Sequence, residues 1–348
     1  MKLLTFEDAL RQSEHHSRRH LLLGNGFSIA CRPNIFIYKR LFEQADFSTL
    51  SPHVRLVFES LQTNDFERVI KLLRDFAMIA EVYGIESAIA QMLRNDSDRL
   101  KELLVSTIAK THPERPSDIT ESEYVACKKF LSNFDDTYTV NYDLLLYWTH
   151  MHDGERMVHD DGFRTSDGDI ETGTESAYVV WEPGTSHEQN IWFLHGALHV
   201  FDSGTEIQKY TWTRTGVRLI EQTRDALRRD LFPVFVAEGT SSEKLERIRH
   251  CDYLAKALRS FQSIQQCLFI HGHSLAENDE HILKLIEQGK ITDLYIGLHG
   301  DPASPGNQKI VRRSNLMKSN RRSKRELNIT YYDSDSALVW GHTVAASG

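Results

Sequence analysis

Short apolar runs alternate with helix-like segments along much of the chain. Each run is only a few residues long and apolar at successive positions, as expected for strands that are covered on both faces. The runs occupy residues 21–23, 137–141, 191–194, 232–237, 267–270, 293–298 and 328–332. Intervening segments, such as residues 243–261, repeat apolar residues at helical spacing. This alternation predicts an α/β fold with a Rossmann-like, doubly wound parallel sheet.

Residues 35–131 follow the first run and contain no convincing strand. They are predicted to form several amphipathic helices, because apolar residues recur at helical spacing in stretches such as residues 65–84. We therefore predict a Rossmann-like domain formed by residues 1–34 and 132–348, with a large helical insertion at residues 35–131. Within the α/β domain, residues 151–190 are acidic and rich in Gly and Thr, which predicts a long loop with a short hairpin.

The overall charge restricts the classes of partner. The chain has 348 residues, 40% hydrophobic and 26% charged, and a formal net charge of −8, which argues against a broadly basic nucleic-acid-binding surface. One basic run near the C-terminus is typical of a solvated helix face. It contains Arg312, Arg313, Lys318, Arg321, Arg322, Lys324 and Arg325. No segment approaches about 18 successive apolar residues and the first residues resemble no signal peptide, so we predict a cytoplasmic protein without a membrane span.

Cysteines and histidines give no pattern typical of a metal site. The four cysteines are far apart and form no CxxC pair, which excludes a zinc ribbon and makes a disulfide framework unexpected. His16 and His20 have the spacing of a metal-binding pair on a helix, with His15 beside them, but no nearby Cys or carboxylate completes a pattern. A solvated helix face is the simpler interpretation, and we predict no metal.

The first apolar run leads directly into Gly24-Asn25-Gly26, followed by Ser28. Two glycines after a buried strand allow a charged group to come close to the backbone, and a helix beginning there favours anions. The dinucleotide fingerprint GxGxxG is incomplete, because Ile29 stands where its third glycine would be. A simple structural turn therefore remains an alternative for this motif.

Polar residues also follow the next runs. Asn141 and Asp143 come at the end of residues 137–141, where they could cap the following helix or project into the crevice at which open α/β sheets bind ligands. His195 follows residues 191–194; histidine is a common general base near neutral pH, although a histidine at a strand end can also be structural.

Gly272-His273-Ser274-Leu275 follows residues 267–270 at a predicted strand-to-helix junction. It nearly matches the GxSxG nucleophile elbow, with Ala276 in place of the last glycine. A serine hydrolase therefore stays open as an alternative, although no acidic residue and histidine stand in the order which that fold expects. The candidate bases are His281, His299 and His342.

Taken in order, these strand-end motifs resemble those of the sirtuin superfamily, which carries a Gly-x-Gly turn followed by Ser, a Thr-x-Asn-x-Asp strand end, a His-Gly pair and a Gly-x-Ser-Leu sequence. The chain departs from the family at Asn25 and Val140, where sirtuins carry Ala and Gln. It also has no cysteine in residues 197–231, where deacylase sirtuins carry a zinc module. The missing module and the helical insertion resemble the sirtuin-like NADases that act as effectors in bacterial antiphage defence.

The resemblance implies that NAD is the substrate and that its nicotinamide–ribose bond is hydrolysed, with no metal. It implies three catalytic residues: Asn141 on the ribose and the attacking water, Asp143 facing the nicotinamide carboxamide, and His195 as general base. The implied dinucleotide-binding residues are Gly24, Asn25, Gly26 and Ser28 at the phosphates, with Gly272 and Ser274 at the phosphate or the adenosine ribose.

The resemblance also implies regulation, because unrestrained loss of NAD would kill the host cell. We therefore expect a toxic effector that is activated through a homo- or hetero-oligomer, with a sensor protein encoded nearby, such as a nucleotide-sensing pyrophosphatase-like subunit. Two other functions compatible with a dinucleotide crevice stay open, namely an NAD-dependent protein deacylase and a non-catalytic nucleotide-binding regulatory subunit.

Overall fold

The secondary structure is that of a mixed α/β protein with two sheets. The computed structural model describes residues 3–33, 41–64, 66–85, 87–110, 112–152, 160–165, 178–182, 189–210, 219–229, 231–236, 240–321 and 326–341. The strands are β1 Arg19–Leu23, β2 Asp136–Thr139, β3 Phe163–Arg164, β4 Tyr178–Trp181, β5 Ile191–Phe193, β6 Gly196–Asp202, β7 Ile207–Tyr210, β8 Phe232–Phe235, β9 Gln265–His271, β10 Lys290–Leu298 and β11 Asn328–Asp333. The helices are α1 Phe6–Gln12, α2 Gly26–Cys31, α3 Leu41–Gln44, α4 Pro52–Ser60, α5 Phe66–Val82, α6 Ser87–Lys110, α7 Glu121–Leu131, α8 Leu145–Met151, α9 Leu219–Arg228, α10 Ser241–His250, α11 Asp252–Ser263, α12 Glu280–Gln288 and α13 Pro305–Ser319.

The larger sheet has six parallel strands in the order β11-β10-β9-β1-β2-β5. Both of its faces are covered: Leu21 and Leu23 of β1 belong to one hydrophobic cluster, and Leu22 between them belongs to another with helix residues such as Phe261 and Ile282. Coverage on both faces explains why these strands are apolar at successive positions. The predicted α/β class is confirmed, and a parallel sheet flanked by helices is compatible with a Rossmann-like fold.

The smaller sheet was not predicted. Its five strands have the antiparallel order β3-β4-β7-β6-β8. Residues 232–237 were expected in the parallel sheet, but the described part of that run forms β8, which pairs antiparallel with β6. The sequence could not distinguish the two, because β6 and β7 are also buried at nearly every position and show no alternation. The hairpin predicted within residues 151–190 is present as β3 paired with β4.

Helices connect β1 to β2. The described residues between these strands form α2 to α7 and two short 3₁₀ helices, with no strand. α7 begins at a capping box, in which the side chains of Thr120 and Glu123 each accept a backbone N–H. No helix in the described part of the chain combines the length and the apolar character needed to cross a membrane.

Residues 243–261 were predicted as one helix, but they belong to two helices, α10 and α11. The break lies at Cys251, whose φ of −115° and ψ of 119° are extended rather than helical. The apolar periodicity continues through the break, because both helices bury the same side of the segment, with Ile248 before Cys251 and Leu254 after it. A local pattern of this kind predicts burial correctly and helix continuity wrongly.

Histidines near the N-terminus do not form the predicted solvated helix face, because α1 ends at Gln12. His20 lies in β1 with Nδ1 2.7 Å from Asp136 Oδ2, and His16 Nε2 lies 3.1 Å from Asp293 Oδ2. The C-terminal basic run is likewise only partly solvated. Arg313 pairs with Glu280, and Arg321 donates to backbone carbonyls at the end of α12 and the start of β10.

Candidate functional site

A cavity of about 460 Å³ lies at the carboxyl ends of the parallel strands. Its lining includes residues that follow four different strands, β1, β2, β5 and β9, and that the sequence predicted as a site. They are Asn25, Gly26, Asn141, His195, Gly272 and Ser274. The volume is in the range of small-molecule sites, and open α/β sheets bind ligands at this edge. Three other predicted residues, Gly24, Ser28 and Asp143, are buried beside the cavity and are absent from its lining.

The two glycines after β1 are required by packing between two turns. Gly24 N donates to His271 O over 2.9 Å, and Gly26 N donates to Gly272 O over 2.7 Å. A Cβ on Gly24 would lie 2.6 Å from the Cα of His273, and one on Gly26 would lie 2.7 Å from the Cα of Gly272. These two amide groups are therefore engaged inside the protein, which differs from the phosphate-cradling role that the sequence suggested for them.

Ser28 and Asp143 form a buried support under the cavity. The Ser28 hydroxyl donates to Asp143 Oδ2, and Asp143 Oδ1 accepts the backbone N–H of Leu145 over 2.9 Å. Ser28 is fully buried and Asp143 is 3% exposed, so neither reaches a ligand in the cavity. In this arrangement Ser28 hydrogen-bonds to Asp143, and Asp143 has the alternative role of hydrogen bonding at the start of α8; their contacts with a ligand stay predictions.

Asn141 is held by this support and keeps one acceptor. Its Nδ2 donates to Gly24 O over 3.0 Å and to Ser28 Oγ over 3.1 Å, which uses both amide hydrogens. Its Oδ1 accepts no hydrogen bond from any described residue. Because Asn141 lines the cavity, this oxygen is the atom with which it can accept a hydrogen bond from a ligand hydroxyl or a water molecule.

His195 is paired with a second histidine. Its Nε2 lies 2.9 Å from His281 Nε2, and the two rings are stacked with centroids 5.1 Å apart. Ser241 lies behind this pair, since its Oγ accepts the backbone N–H of His281 and is 3.1 Å from His281 Nδ1. With Nε2 engaged, Nδ1 is the ring nitrogen with which His195 can act on a ligand; among the described residues it has no hydrogen-bond partner.

Lys244, His273 and Asp279 form a buried charged group beside His195. Asp279 Oδ1 lies 2.9 Å from Lys244 Nζ, and Asp279 Oδ2 lies 3.1 Å from His273 Nε2. Because His273 Nδ1 accepts the backbone N–H of Leu275, its Nε2 carries the hydrogen that points to the carboxylate. Burial opposes ionisation of Asp279, but the interaction with His273, with a smaller contribution from the charge of Lys244, outweighs it and holds the pKa of Asp279 well below its usual range.

The same surroundings keep His195 neutral. Burial lowers the pKa of His195 to about 3; Asp279 opposes this shift, and Lys244 adds to it. Burial also lowers the pKa of His281 to about 4. Both rings therefore carry a single hydrogen at neutral pH, which suits a contact in which one Nε2 donates and the other accepts. The site offers an uncharged imidazole next to a carboxylate whose charge is balanced by an ammonium group.

One group of potential metal ligands lies in this cluster. His195 Nε2, His281 Nε2 and an Asp279 oxygen lie within 4.8 Å of one another. The Lys244 ammonium is already 2.9 Å from Asp279 Oδ1 and supplies the positive charge that a cation would bring. Repulsion from Lys244 therefore opposes a cation here, and the absence of a metal remains a prediction.

The nucleophile-elbow interpretation gains no geometric support. Ser274 makes no hydrogen bond to a histidine among the described residues, and the residues of the motif with a positive φ are Gly272, at 71°, and Leu275, at 53°, rather than Ser274. Of the candidate bases, His281 is hydrogen-bonded to His195 and Ser241 rather than to Ser274. His299 has Nδ1 2.7 Å from Asp335 Oδ1. His342 lies outside the described residues.

Four residues of the site were missed by sequence reasoning. They are Lys244, His273, Asp279 and, in its role as partner of His195, His281. Three of them, His273, Asp279 and His281, lie in the segment GHSLAENDEHI after β9. Their close spacing in the sequence could have indicated a shared site. Lys244 had no such signal, because a lysine in an amphipathic helix is ordinarily solvated. Its burial depends on how α10 packs against the 3₁₀ turn at Glu277–Asp279.

The neutral buried histidines make stability depend on pH. The pKa values are lowered to about 3 for His195 and about 4 for His271 and His281, whereas in the unfolded chain they are about 6.5. Below pH 6.5 the unfolded state therefore binds more protons, so stability falls on acidification, by up to about 1.4 kcal/mol per pH unit for each group. We expect urea unfolding to give a smaller free energy of unfolding at pH 5 than at pH 7, with a shallower dependence for His271→Asn. Equal values at both pH values would contradict it.

Comparison with known protein families gives one match. A family model described as Domain of unknown function (DUF4917) matches residues 21–340, which is most of the chain and includes every residue of the cavity lining. A search of curated proteins finds no match. The family description assigns no activity, so the chemistry must be inferred from the site itself.

Proposed function

The chain belongs to the DUF4917 family, and we propose that its cavity binds NAD and that it hydrolyses the nicotinamide–ribose bond. The proposal depends on one observation, which is that Asn141 and His195 line the same cavity. Each has its other polar atoms engaged inside the protein, which leaves Asn141 Oδ1 and His195 Nδ1 for the ligand. The resemblance to sirtuin-like NADases supports the choice of NAD over other nucleotides.

The chemistry suits a neutral acceptor site. The nicotinamide of NAD is already cationic, so it leaves without a general acid, and the ribose carbon becomes oxocarbenium-like as in glycoside hydrolysis. Such a carbon reacts readily with water, so a weakly basic imidazole is sufficient if it holds the water or a ribose hydroxyl in place. The lowered pKa keeps His195 neutral at neutral pH, and its Nδ1 is an acceptor in the tautomer whose Nε2 donates to His281. Asn141 Oδ1 supplies a second acceptor.

The residues that we propose to bind the phosphates of NAD differ in part from those predicted from the sequence. Because the amides of Gly24 and Gly26 are engaged, the proposal assigns dinucleotide contacts to Asn25, Gly272 and Ser274, which line the cavity. The Asn25 side-chain oxygen has no hydrogen-bond partner among the described residues; as an acceptor it suits a ribose hydroxyl rather than a phosphate oxygen. Ser274 is exposed at the cavity. Gly24, Gly26 and Ser28 would act indirectly, by fixing the turn and Asn141.

Two observations bear on the alternatives. The described part of residues 197–231 forms β6, β7 and α9, which occupy the place of a zinc module in the chain order and disfavour a peptide deacylase. A subunit that only binds a nucleotide would not require Asn141 and His195 each to present one acceptor atom to the cavity. The proposal therefore favours hydrolysis.

Regulation belongs to the same proposal. A cell would not tolerate continuous NAD loss, so we expect an effector, of the antiphage type, that is activated by assembly or by a sensor protein. The helical insertion, residues 35–131, contacts the chain next to Asp143, which supports Asn141: His112, just after α6, accepts the backbone N–H of Leu144 on Nε2 over 2.9 Å. A change in that segment could therefore alter the support of Asn141.

The test is direct. The full chain is incubated with NAD, with and without an acylated peptide, and nicotinamide and the ribose product are quantified by chromatography; NAD is also measured in cells that express the chain. We expect nicotinamide with ADP-ribose, or its cyclic form, regardless of the peptide, at a low rate from the chain alone and at a higher rate when assembly or the sensor protein activates it. O-acyl-ADP-ribose would indicate a deacylase. NAD that binds but persists with the purified chain, and also in cells that supply the genes encoded beside it, would leave a binding subunit and refute hydrolysis.

A further inference from the structure

A second group of potential metal ligands lies at the opposite end of the parallel sheet from the cavity. It consists of His15 and His16, in the connection between α1 and β1, and Asp293, near the start of β10; we call these three residues the histidine cluster. One ligand atom of each residue lies within 4.8 Å of those of the other two. The sequence showed the two histidines without a nearby carboxylate, and the fold brings one to them from a distant part of the chain.

Both histidines have a ring nitrogen that can bind a cation. His15 Nδ1 lies 2.8 Å from the carbonyl oxygen of Gln12, which can only accept, so Nδ1 carries the hydrogen and Nε2 of the neutral ring keeps a lone pair. Histidines that bind metals usually donate their other ring N–H in this way. His16 Nε2 is buried and lies 3.1 Å from Asp293 Oδ2 without the alignment of a hydrogen bond.

The carboxylate of Asp293 is oriented by its neighbours. β10 has one extra residue, Thr292, just before Asp293, and bulges of this kind redirect the side chains beside them. Thr292 Oγ1 donates to Asp293 Oδ2 over 2.7 Å, and Asn328 Nδ2 donates to Asp293 Oδ1 over 3.2 Å. Among the described residues no lysine or arginine pairs with Asp293, whereas Asp279 is paired with Lys244. A cation at the histidine cluster therefore meets a carboxylate whose charge no ammonium or guanidinium group balances.

The backbone beside the histidine cluster has an uncommon conformation. Gln266, in β9, has a φ of 71°, which residues with a side chain rarely adopt. Its Oε1 accepts the backbone N–H of Ser17 over 3.1 Å, and its carbonyl oxygen lies 3.1 Å from Thr292 Oγ1. Gln266 thus contacts the residue after His16 and the residue before Asp293. Strained residues of this kind concentrate at binding sites, where the surrounding structure holds them.

We propose that His15, His16 and Asp293 bind a divalent transition-metal ion such as zinc. Imidazole nitrogens with a carboxylate suit zinc, whereas magnesium and calcium prefer oxygen ligands. Two ligands of one tetrahedral zinc ion lie about 3.3 Å apart, and His16 Nε2 and Asp293 Oδ2 are already 3.1 Å apart. His15 is exposed, so its ring can adjust and water can complete the coordination.

A bound ion would fasten the connection between α1 and β1 to β10. The proposal departs from the metal-free expectation drawn from the sequence. It does not depend on the proposed enzymatic function, because no residue of the histidine cluster lines the cavity.

The test titrates zinc chloride into the full chain, after treatment with EDTA and dialysis, by isothermal calorimetry. We expect saturable zinc binding that magnesium chloride does not compete with, and a higher midpoint of thermal unfolding when zinc is present. His16→Ala and Asp293→Asn should each raise the Kd of one zinc site at least about tenfold, since each removes a ligand. His15→Ala should do the same, and because His15 is exposed this variant tests the site if the other two do not fold.

A matched control is His152→Ala. His152 Nε2 lies 2.6 Å from Glu121 Oε2, so it also forms a histidine–carboxylate pair, but no third ligand joins this pair among the described residues. We expect its zinc affinity to equal that of the wild type.

Three results would overturn the proposal. The first is the absence of saturable zinc binding by the wild-type chain. The second is zinc binding that His15→Ala and His16→Ala leave unchanged but His281→Ala removes, which would place the ion beside His195 instead. The third is binding of magnesium as tight as that of zinc, which would contradict coordination by the imidazole rings.

Discussion

His195→Ala is expected to lower the rate of nicotinamide release from NAD by about 10²–10⁴-fold, the usual contribution of a positioned general base. The effect should appear in kcat, with a much smaller change in NAD affinity, because in the proposed mechanism Nδ1 of His195 acts on the water or a ribose hydroxyl and contributes little to ground-state binding. Steady-state kinetics with calorimetric titration of NAD separates the two quantities.

A suitable control is His299→Ala. His299 lines the same cavity but is bound to Asp335 and is distant in sequence from the His195–His281 pair. This variant should retain turnover within about tenfold of wild type, with any loss in KM, as for a residue that only binds the ligand. A well-folded His195→Ala protein with normal turnover would remove His195 from the mechanism.

Asp279→Ala is expected to destabilise the protein by about 3–5 kcal/mol, as for a buried ion pair that loses one partner. The change leaves Lys244, which is 3% exposed, as a buried ammonium without its carboxylate. It also removes the acceptor of His273 Nε2. The free energy of unfolding from urea titration measures the loss.

The double variant Asp279→Leu with Lys244→Met is the matched control. Replacing both members of a buried ion pair with apolar residues of similar size is often close to neutral, so we expect it to recover most of the stability that Asp279→Ala loses. A loss of less than about 1 kcal/mol in the free energy of unfolding for Asp279→Ala would contradict the prediction. It would mean that Lys244 and Asp279 do not form the buried ion pair that their distance indicates.

Much of the fold could be predicted because parallel strands have a local signature. Residues covered on both faces are apolar at successive positions, and every run with this pattern except residues 232–237 lies in the parallel sheet. The carboxyl ends of those strands lie at one edge, so polar residues after them could be expected near one another. Asn141 and His195 were found in this way, and they line one cavity.

The errors arose where a local pattern fits two arrangements. β6 and β8 are as apolar as the parallel strands, so only their pairing shows that they belong to a second sheet. Ser28 and Asp143 are polar residues at strand ends, as ligand-binding residues are, but they are turned inward, where they satisfy each other and support Asn141. Sequence spacing cannot tell an inward from an outward side chain when the chain is irregular at that point.

The sequence by itself determined the α/β class and the positions of the parallel strands, together with the strand ends that supply the cavity, because burial on both faces and strand direction are written in short, contiguous stretches. The tertiary structure alone decided that His195 meets His281 and that Lys244 is buried against Asp279. These contacts join segments up to 86 residues apart. His195 is neutral because those segments together exclude water from its ring. Desolvation is a property of the assembled surroundings, and no local pattern encodes it.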